Sequence, residues 1–158
     1  MGYGERAIAE VNWHTLETSG GRTADDLPAA LLALFRITTE DEAFQVWWRF
    51  ENKVFAQYTL YGAAEATIYA LMAALADDRP RLVRNWIIEL IRFMLNGESD
   101  DDPTLAERCR DQVRQGLWLL AQEARVTSGL EREPVLEVME KIDPQRAKLV
   151  RDALSSSH

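Results

Sequence analysis

The chain has 158 residues, 47% of them hydrophobic and 28% charged, with a net charge of −8. That is enough for one domain burying roughly 68–70% of its unfolded surface, and too hydrophobic for disorder. The acidic balance argues against nucleic-acid binding, which rests on clustered Lys and Arg, and suits a basic protein partner.

Residues 5–18 are a short helix candidate carrying Ile8, Val11 and Leu16, closed by Ser19-Gly20-Gly21, whose glycines suit a left-handed cap. The start MGYGERAIAEVNW lacks the basic and apolar regions of a signal peptide. No apolar run approaches the ~18 residues needed to cross a bilayer, so a cytoplasmic protein without membrane association is expected. Thr23 opens a Thr-x-x-Asp variant of the capping box, followed by Leu27, Leu31, Leu34 and Phe35 at helical spacing, with Pro28 in the first turn. Thr39 and Glu42 form the Thr-x-x-Glu box and predict a helix over 40–53, on which Phe44, Trp47 and Trp48 fall at i, i+3 and i+4. These rings read as core, because large aromatics dominate the buried area of small helical domains.

An aromatic, polar elbow, Ala56-Gln57-Tyr58-Thr59-Leu60-Tyr61, leads into an alanine-rich helix over 60–76 with Ala64, Ile68, Leu71 and Leu75 on one stripe. Asp77-Asp78-Arg79-Pro80 punctuates. Over 81–95 the apolar residues occupy a wide arc, which implies a helix packed on two sides. Asn96-Gly97 ends it, and an acidic loop over 98–102 reaches Asp102-Pro103, an N-cap with proline at N1. The next helix, over 104–126, carries Leu105, Cys109, Val113, Leu117, Leu120 and Ala124 on one face. Gly116 within it costs about 1 kcal/mol unless it permits close packing. The lone Cys109 has no disulfide partner and reads as a small buried hydrophobe. Two shorter helices follow over 134–142 and 144–154, and residues 155–158 form a polar tail expected to fray.

No stretch shows sustained period-2 alternation, so strands are absent or minor. The expected fold is all-α, a single domain over 1–154 of about seven to eight helices, in antiparallel pairs stacked as a short α-solenoid. A compact bundle is the alternative; the wide apolar arc over 81–95 favours stacked layers. Many acids, among them Asp25, Asp26, Glu40–Glu42, Asp77, Asp78 and Asp143, precede or open helices, where carboxylates cap and complement the dipole.

Little in the chain points to catalysis. There are two histidines, His14 and His158, and no phosphate-binding glycine loop, His-x-x-x-His pair or paired-cysteine spacing. Neither catalytic residues, nor a metal site, nor a cofactor is expected. Glu65 and Glu89 lie within apolar helices, but such residues more often face solvent or pair with arginine than act as acid and base. The acidic loop over 98–102 lacks the alternating ligands and glycine turn of a calcium loop. Arg79, Arg81 and Arg84 with Arg108, Arg110 and Arg114 are the candidates for a basic stripe, and acidic neighbours surround them.

Val11-Asn12-Trp13, the Gly20/Gly21 turn, Ala24-Asp25-Asp26-Leu27-Pro28-Ala29-Ala30-Leu31, and Gln57, Thr59 and Tyr61 before Ala63-Ala64 resemble a group of short bacterial HEAT-repeat-like proteins. The corresponding pattern there is a tryptophan, a glycine turn, A-x-D-x-P-x-x-L and a Q-G-T-x-Y elbow. The likeness covers about residues 11–76, and this chain departs from it at Tyr58, where the pattern has glycine. Related proteins often carry no assigned biochemical activity, and similar small acidic helical proteins act as immunity proteins encoded beside secreted bacterial toxins, so the resemblance implies a binder and no enzyme is expected. On that expectation the chain binds and neutralises a cognate protein toxin with a basic surface by occluding its active site; the alternative is a HEAT-like adaptor with no toxin partner. The residues expected to bind are Tyr58, Tyr61 and Glu65 around the elbow, with Asp77, Asp78, Glu98, Asp100, Asp101 and Asp102 at the ends of adjacent helices.

Overall fold

The structure, a computed structural model, describes residues 1–156. Among them nine α-helices build the fold: α1 (Tyr3–Glu10), α2 (Leu27–Phe35), α3 (Glu40–Trp47), α4 (Ala64–Leu75), α5 (Arg81–Met94), α6 (Leu105–Arg114), α7 (Leu117–Val126), α8 (Arg132–Ile142) and α9 (Pro144–Ser156). The only sheet described is a two-stranded hairpin, β1 (Phe55–Ala56) and β2 (Thr59–Leu60). The fold is all-α, and its helices pack as pairs. α2 lies on α3, α4 on α5, α7 on α8 and α8 on α9. The pairs join through α4, which also meets α1, α2 and α6, and through α5, which meets α2, α3 and α8. The wide apolar arc of α5 is used as expected, with Val83, Ile87, Ile88, Leu90, Ile91 and Met94 all buried. No described helix is long and apolar enough to cross a membrane.

Caps place two helix starts where the sequence puts them. Thr39 Oγ1 accepts from the Glu42 amide at 3.1 Å, and the Glu42 carboxylate turns to Thr38. Asp143 Oδ1 accepts from the Arg146 amide at 3.1 Å. Asp102 Oδ1 accepts from the Thr104 amide at 3.1 Å, but in the turn ahead of the helix: α6 starts at Leu105 with Thr104 as its N-cap, so the expected Asp102 cap with Pro103 at N1 does not form. The Thr23 box does not form. Thr23 donates to Asp25 instead, and Asp26 makes no cap bond and pairs with Lys53.

Five expectations are corrected by local geometry. The first helix stops at Glu10 because Val11 is extended, and Trp13 folds back so that its indole N–H donates to Ile8 O at 2.9 Å. α3 stops at Trp47 and dissolves into turns, Asn52 taking a left-handed φ of 66°. Residues 60–63 are not helical, because Leu60 pairs with Phe55 across the hairpin. Residues 104–126 are two helices broken at Gly116, where a Cβ would stand 2.3 Å from Met72 Cε of α4. At the C-terminus α9 runs through Ser155 and Ser156, so those two residues belong to the helix; Ser157 and His158 lie outside the described residues.

The elbow is therefore a hairpin, and it is fastened from outside. Leu60 N donates to Glu98 O and Glu98 N to Tyr58 O, both at 2.8 Å, so the α5–α6 loop adds a third rung. Gly97 permits this approach, since a Cβ there would lie 2.5 Å from Leu60 Cγ. The left-handed residue of the hairpin loop is Gln57, φ 53°, and not Tyr58. A bulky side chain at 58 is accommodated for that reason.

Candidate functional site: an aromatic face on α3, the hairpin and α5

Eight residues of α3 carry more apolar surface than one buried stripe can use. Ala43 and Val46, continued by Phe50, enter the core. Phe44 and Trp48 point outward, 56% and 64% exposed, with Trp47 half-buried between the two stripes. Trp47 is the hub of an edge-to-face cluster. Its ring centroid lies 5.1 Å from Phe93, 5.8 Å from Trp86 and 5.9 Å from Phe55. Phe44 extends the cluster through Trp86 at 5.3 Å. At the other end Tyr58, 74% exposed on the hairpin loop, shares a surface hollow with Phe55 and Phe93, the latter 42% exposed. The result is a contiguous aromatic face running from the first half of α3, across α5, to the hairpin tip.

Carboxylates rim this face. Trp47 Nε1–H donates to Glu51 Oε2 at 3.2 Å and Trp86 Nε1–H to Glu40 Oε2 at 2.9 Å. Glu40, Asp41, Glu42 and Glu51, all on α3 or the turns that follow it, form no ion pair among the described residues, and neither does Glu131 near Trp86. Apolar rings and uncompensated negative charge thus occupy one side of the molecule.

Comparison with protein-family models, curated proteins and solved structures finds no match for this chain.

The residues expected to bind divide between two places. Tyr58 is on the aromatic face. Tyr61, half-buried, follows the hairpin, its amide donating to Val54 O at 2.9 Å. Glu65 and Asp102 both grip Arg108 at 2.9 Å, and Arg108 with Thr104 holds the Asp102 carboxyl down at about 2. Glu98 anchors the hairpin through its backbone and lies 3.7 Å from Arg110. Asp100 and Asp101 are exposed in the same loop. Asp77 and Asp78 stand elsewhere, beyond the far end of α4; ten residues of helical rise already put Leu75 ~15 Å from Glu65. Asp77 has a structural task. Its carboxylate accepts from the Tyr3 and Gly4 amides at 2.7 and 3.0 Å and from Arg79 at 2.6 Å, pinning the first turn of α1. Burial pushes the Asp77 carboxyl up, but those donors outweigh it and leave it below the usual range. Asp78 is exposed.

Sequence reasoning missed Phe44, Trp48, Trp86 and Phe93 as surface groups. The available signal was the pair of overlapping apolar stripes on α3, 43/46/50 beside 44/47/48, of which only one can face the core of so short a helix. Elsewhere, His14 Nδ1 lies 3.1 Å from Asp25, and the Thr23 hydroxyl bonds to Asp25 as well, so the hydroxyl is on the acid and not on the imidazole. All six arginines of the conceivable basic stripe sit in ion pairs with carboxylates. No group of three or more His, Cys, Asp or Glu among the described residues is arranged to hold a metal.

Proposed function

We propose that this chain is a binding protein of the immunity type, which captures a cognate toxin with a basic surface on its aromatic face and so occludes the toxin's active site. The observation that carries the reading is the Trp47-centred cluster, flanked by the exposed Trp48 and Tyr58 and rimmed by carboxylates without cationic partners. Exposed apolar patches edged with polar groups mark interaction sites, and Trp and Tyr are the residues most enriched among binding hot spots. Uncompensated carboxylates at the rim accelerate encounter with a basic partner and repel acidic ones. The toxin as partner comes from the resemblance described above, and the face supplies a physical means of holding it.

The test is a pull-down with the toxin encoded by the adjacent gene, at ~0.1 M salt or below, where exposed charges are screened least. A complex should form, and Trp48→Ala with Tyr58→Ala should weaken it by about 30-fold or more, the effect of losing a hot spot. Both side chains project into solvent, so stability should change by no more than about 0.5 kcal/mol. Absence of a complex at low salt would refute the toxin reading. A complex indifferent to the aromatic replacements but lost on Asp78→Asn with Asp101→Asn would move binding off this face.

A further inference from the structure

We infer that a crevice at the α5 end of the aromatic face is a receptor for one arginine side chain of a partner protein, an inference that rests on reading the face as a docking surface. The crevice has a volume of about 330 Å³ and lies between the start of α3, α5 and the segment entering α8. That is the small end of the ~300–1,000 Å³ range of ligand clefts, suited to a side chain and not to an extended cofactor. Trp86, Leu130 and Pro134 supply apolar walls, and Glu40, Glu89 and Glu131 supply carboxylates. The carboxylates differ in what they have left to offer. Both oxygens of Glu89 accept from Arg92. Glu40 uses Oε2 for the Trp86 indole, and its Oε1 makes no bond among the described residues. Glu131 has neither an ion pair nor a side-chain hydrogen bond there.

An apolar slot bordered by two unmatched carboxylates selects its occupant. An anion is repelled by Glu40 and Glu131. A wholly apolar group would displace their water without replacing it. A side chain with an apolar stem and a cationic head satisfies both parts, the stem against Leu130 and Pro134 and the head toward the carboxylates. Arginine fits better than lysine, because its planar guanidinium stacks on an indole and presents several donors in a fixed fork. Glu40 also holds Trp86 by its N–H, which fixes the ring against which the guanidinium would lie.

The test is a two-dimensional ¹H–¹⁵N NMR titration of the full chain with N-acetyl-arginine methylamide, its lysine counterpart, and the citrulline counterpart, which has the same shape without the charge. Saturable shifts are expected at the Trp86 indole N–H and at the Leu130 and Glu131 amides, in the millimolar range for a single side chain. Lysine should bind more weakly and citrulline should produce no saturable shift. Glu131→Gln, at an exposed position, should weaken arginine binding about threefold with an unchanged melting temperature. Equal binding of citrulline, or shifts centred on Tyr58 and Phe93, would overturn the assignment. Arginine binding at the crevice without any toxin complex would sink the proposed function and leave the crevice standing. A toxin complex of full affinity with Glu131→Gln, together with no arginine shifts, would sink the crevice alone.

Discussion

Glu123→Ala tests the account of how the helix pairs are held together. Glu123, on α7, is 3% exposed and carries a charge into the interior. Its Oε2 accepts from Arg81 Nη1 at 2.9 Å and its Oε1 from Arg84 Nε at 2.7 Å and from Arg84 Nη2. Arg84 continues the network, donating to Leu75 O at 2.7 Å and Asp77 O at 2.6 Å, so one guanidinium joins the C-terminal end of α4 to α7. Breaking a buried pair by removing one partner costs about 3–5 kcal/mol, because the remaining charge is stranded. Arg84 would keep its two carbonyl acceptors, and Arg81 reaches solvent, so the lower end applies, about 3 kcal/mol. At ~2–4 °C per kcal/mol for a chain of this size, the melting temperature should fall by roughly 6–12 °C. Urea unfolding followed by tryptophan fluorescence measures the same loss as a lower midpoint with unchanged slope. In a double-mutant cycle, Arg84→Met with Glu123→Leu should lose less than the sum of the single changes. It should not recover the parent's stability, since the Leu75 and Asp77 carbonyls lose their donor. A loss below about 1 kcal/mol for Glu123→Ala, or additive single changes, would refute the reasoning.

Gly97→Ala should cost about 1–3 kcal/mol by overpacking, because its Cβ meets the buried Leu60 side chain; hydrogen exchange should show lost protection at the Leu60 amide, and unchanged protection would disprove the fastening of the hairpin. Gly116→Ala, whose Cβ meets the terminal methyl of the flexible Met72 side chain and otherwise only Val113 O at ordinary contact distance, should stay within about 1 kcal/mol of the parent in the same urea assay. Burial raises the Glu5 and Asp77 carboxyls, but Arg79 and backbone amides outweigh it and leave both below their ordinary values. The folded state then binds fewer protons than the unfolded state, so their contribution is present above the ordinary carboxylate range and is lost as pH falls through the depressed values. Stability should decline below about pH 5, and Asp77→Asn should flatten that decline while costing about 2 kcal/mol at neutral pH; an unchanged pH profile would contradict the pinning of α1. Burial, reinforced by the charge of Glu65, pushes the Cys109 thiol up to about 12. Its reaction with a disulfide reagent at pH 8 should be about three orders of magnitude slower in the folded than in the unfolded chain, and equal rates would show that the thiol is not sequestered.

What could be read from the chain alone was what local chemistry decides. Thr39 and Asp143 announce helix starts because a side-chain oxygen reaches an amide three residues on. Cys109 and the buried arc of α5 follow from periodicity. The hairpin was illegible for the opposite reason. Two-residue strands are too short for alternation to show, Gln57-Tyr58 is no glycine or asparagine turn, and the third rung comes from Glu98, distant in sequence. The close approach at Gly116 likewise comes from Met72 of another helix. On the candidate site, Tyr58 was recognisable because it lies in a polar, aromatic elbow between two apolar helical stretches. Trp48 was not, since an indole on a helical stripe reads as core whichever way the helix is rolled.

The acids show why total charge is a poor guide to a site and its distribution a better one. Asp77 is acidic, adjacent to Asp78 and near a helix end, yet its partners are the amides of Tyr3 and Gly4, 74 and 73 residues away. Asp102 and Glu65 share Arg108. Such carboxylates have their counter-charge or their donors within the fold and exert little field beyond it. Glu40, Asp41, Glu51 and Glu131 have no counter-charge among the described residues, the donors to Glu40 and Glu51 being neutral indoles, and Glu40, Glu51 and Glu131 stand beside the rings. Either feature alone would mean less. A bare aromatic patch on a soluble protein invites self-association, and a solvated acidic rim binds nothing in particular. Together they discriminate. A second copy of this chain brought face to face would set carboxylate against carboxylate, whereas a partner presenting arginine or lysine among apolar groups would neutralise the rim as it covers the rings.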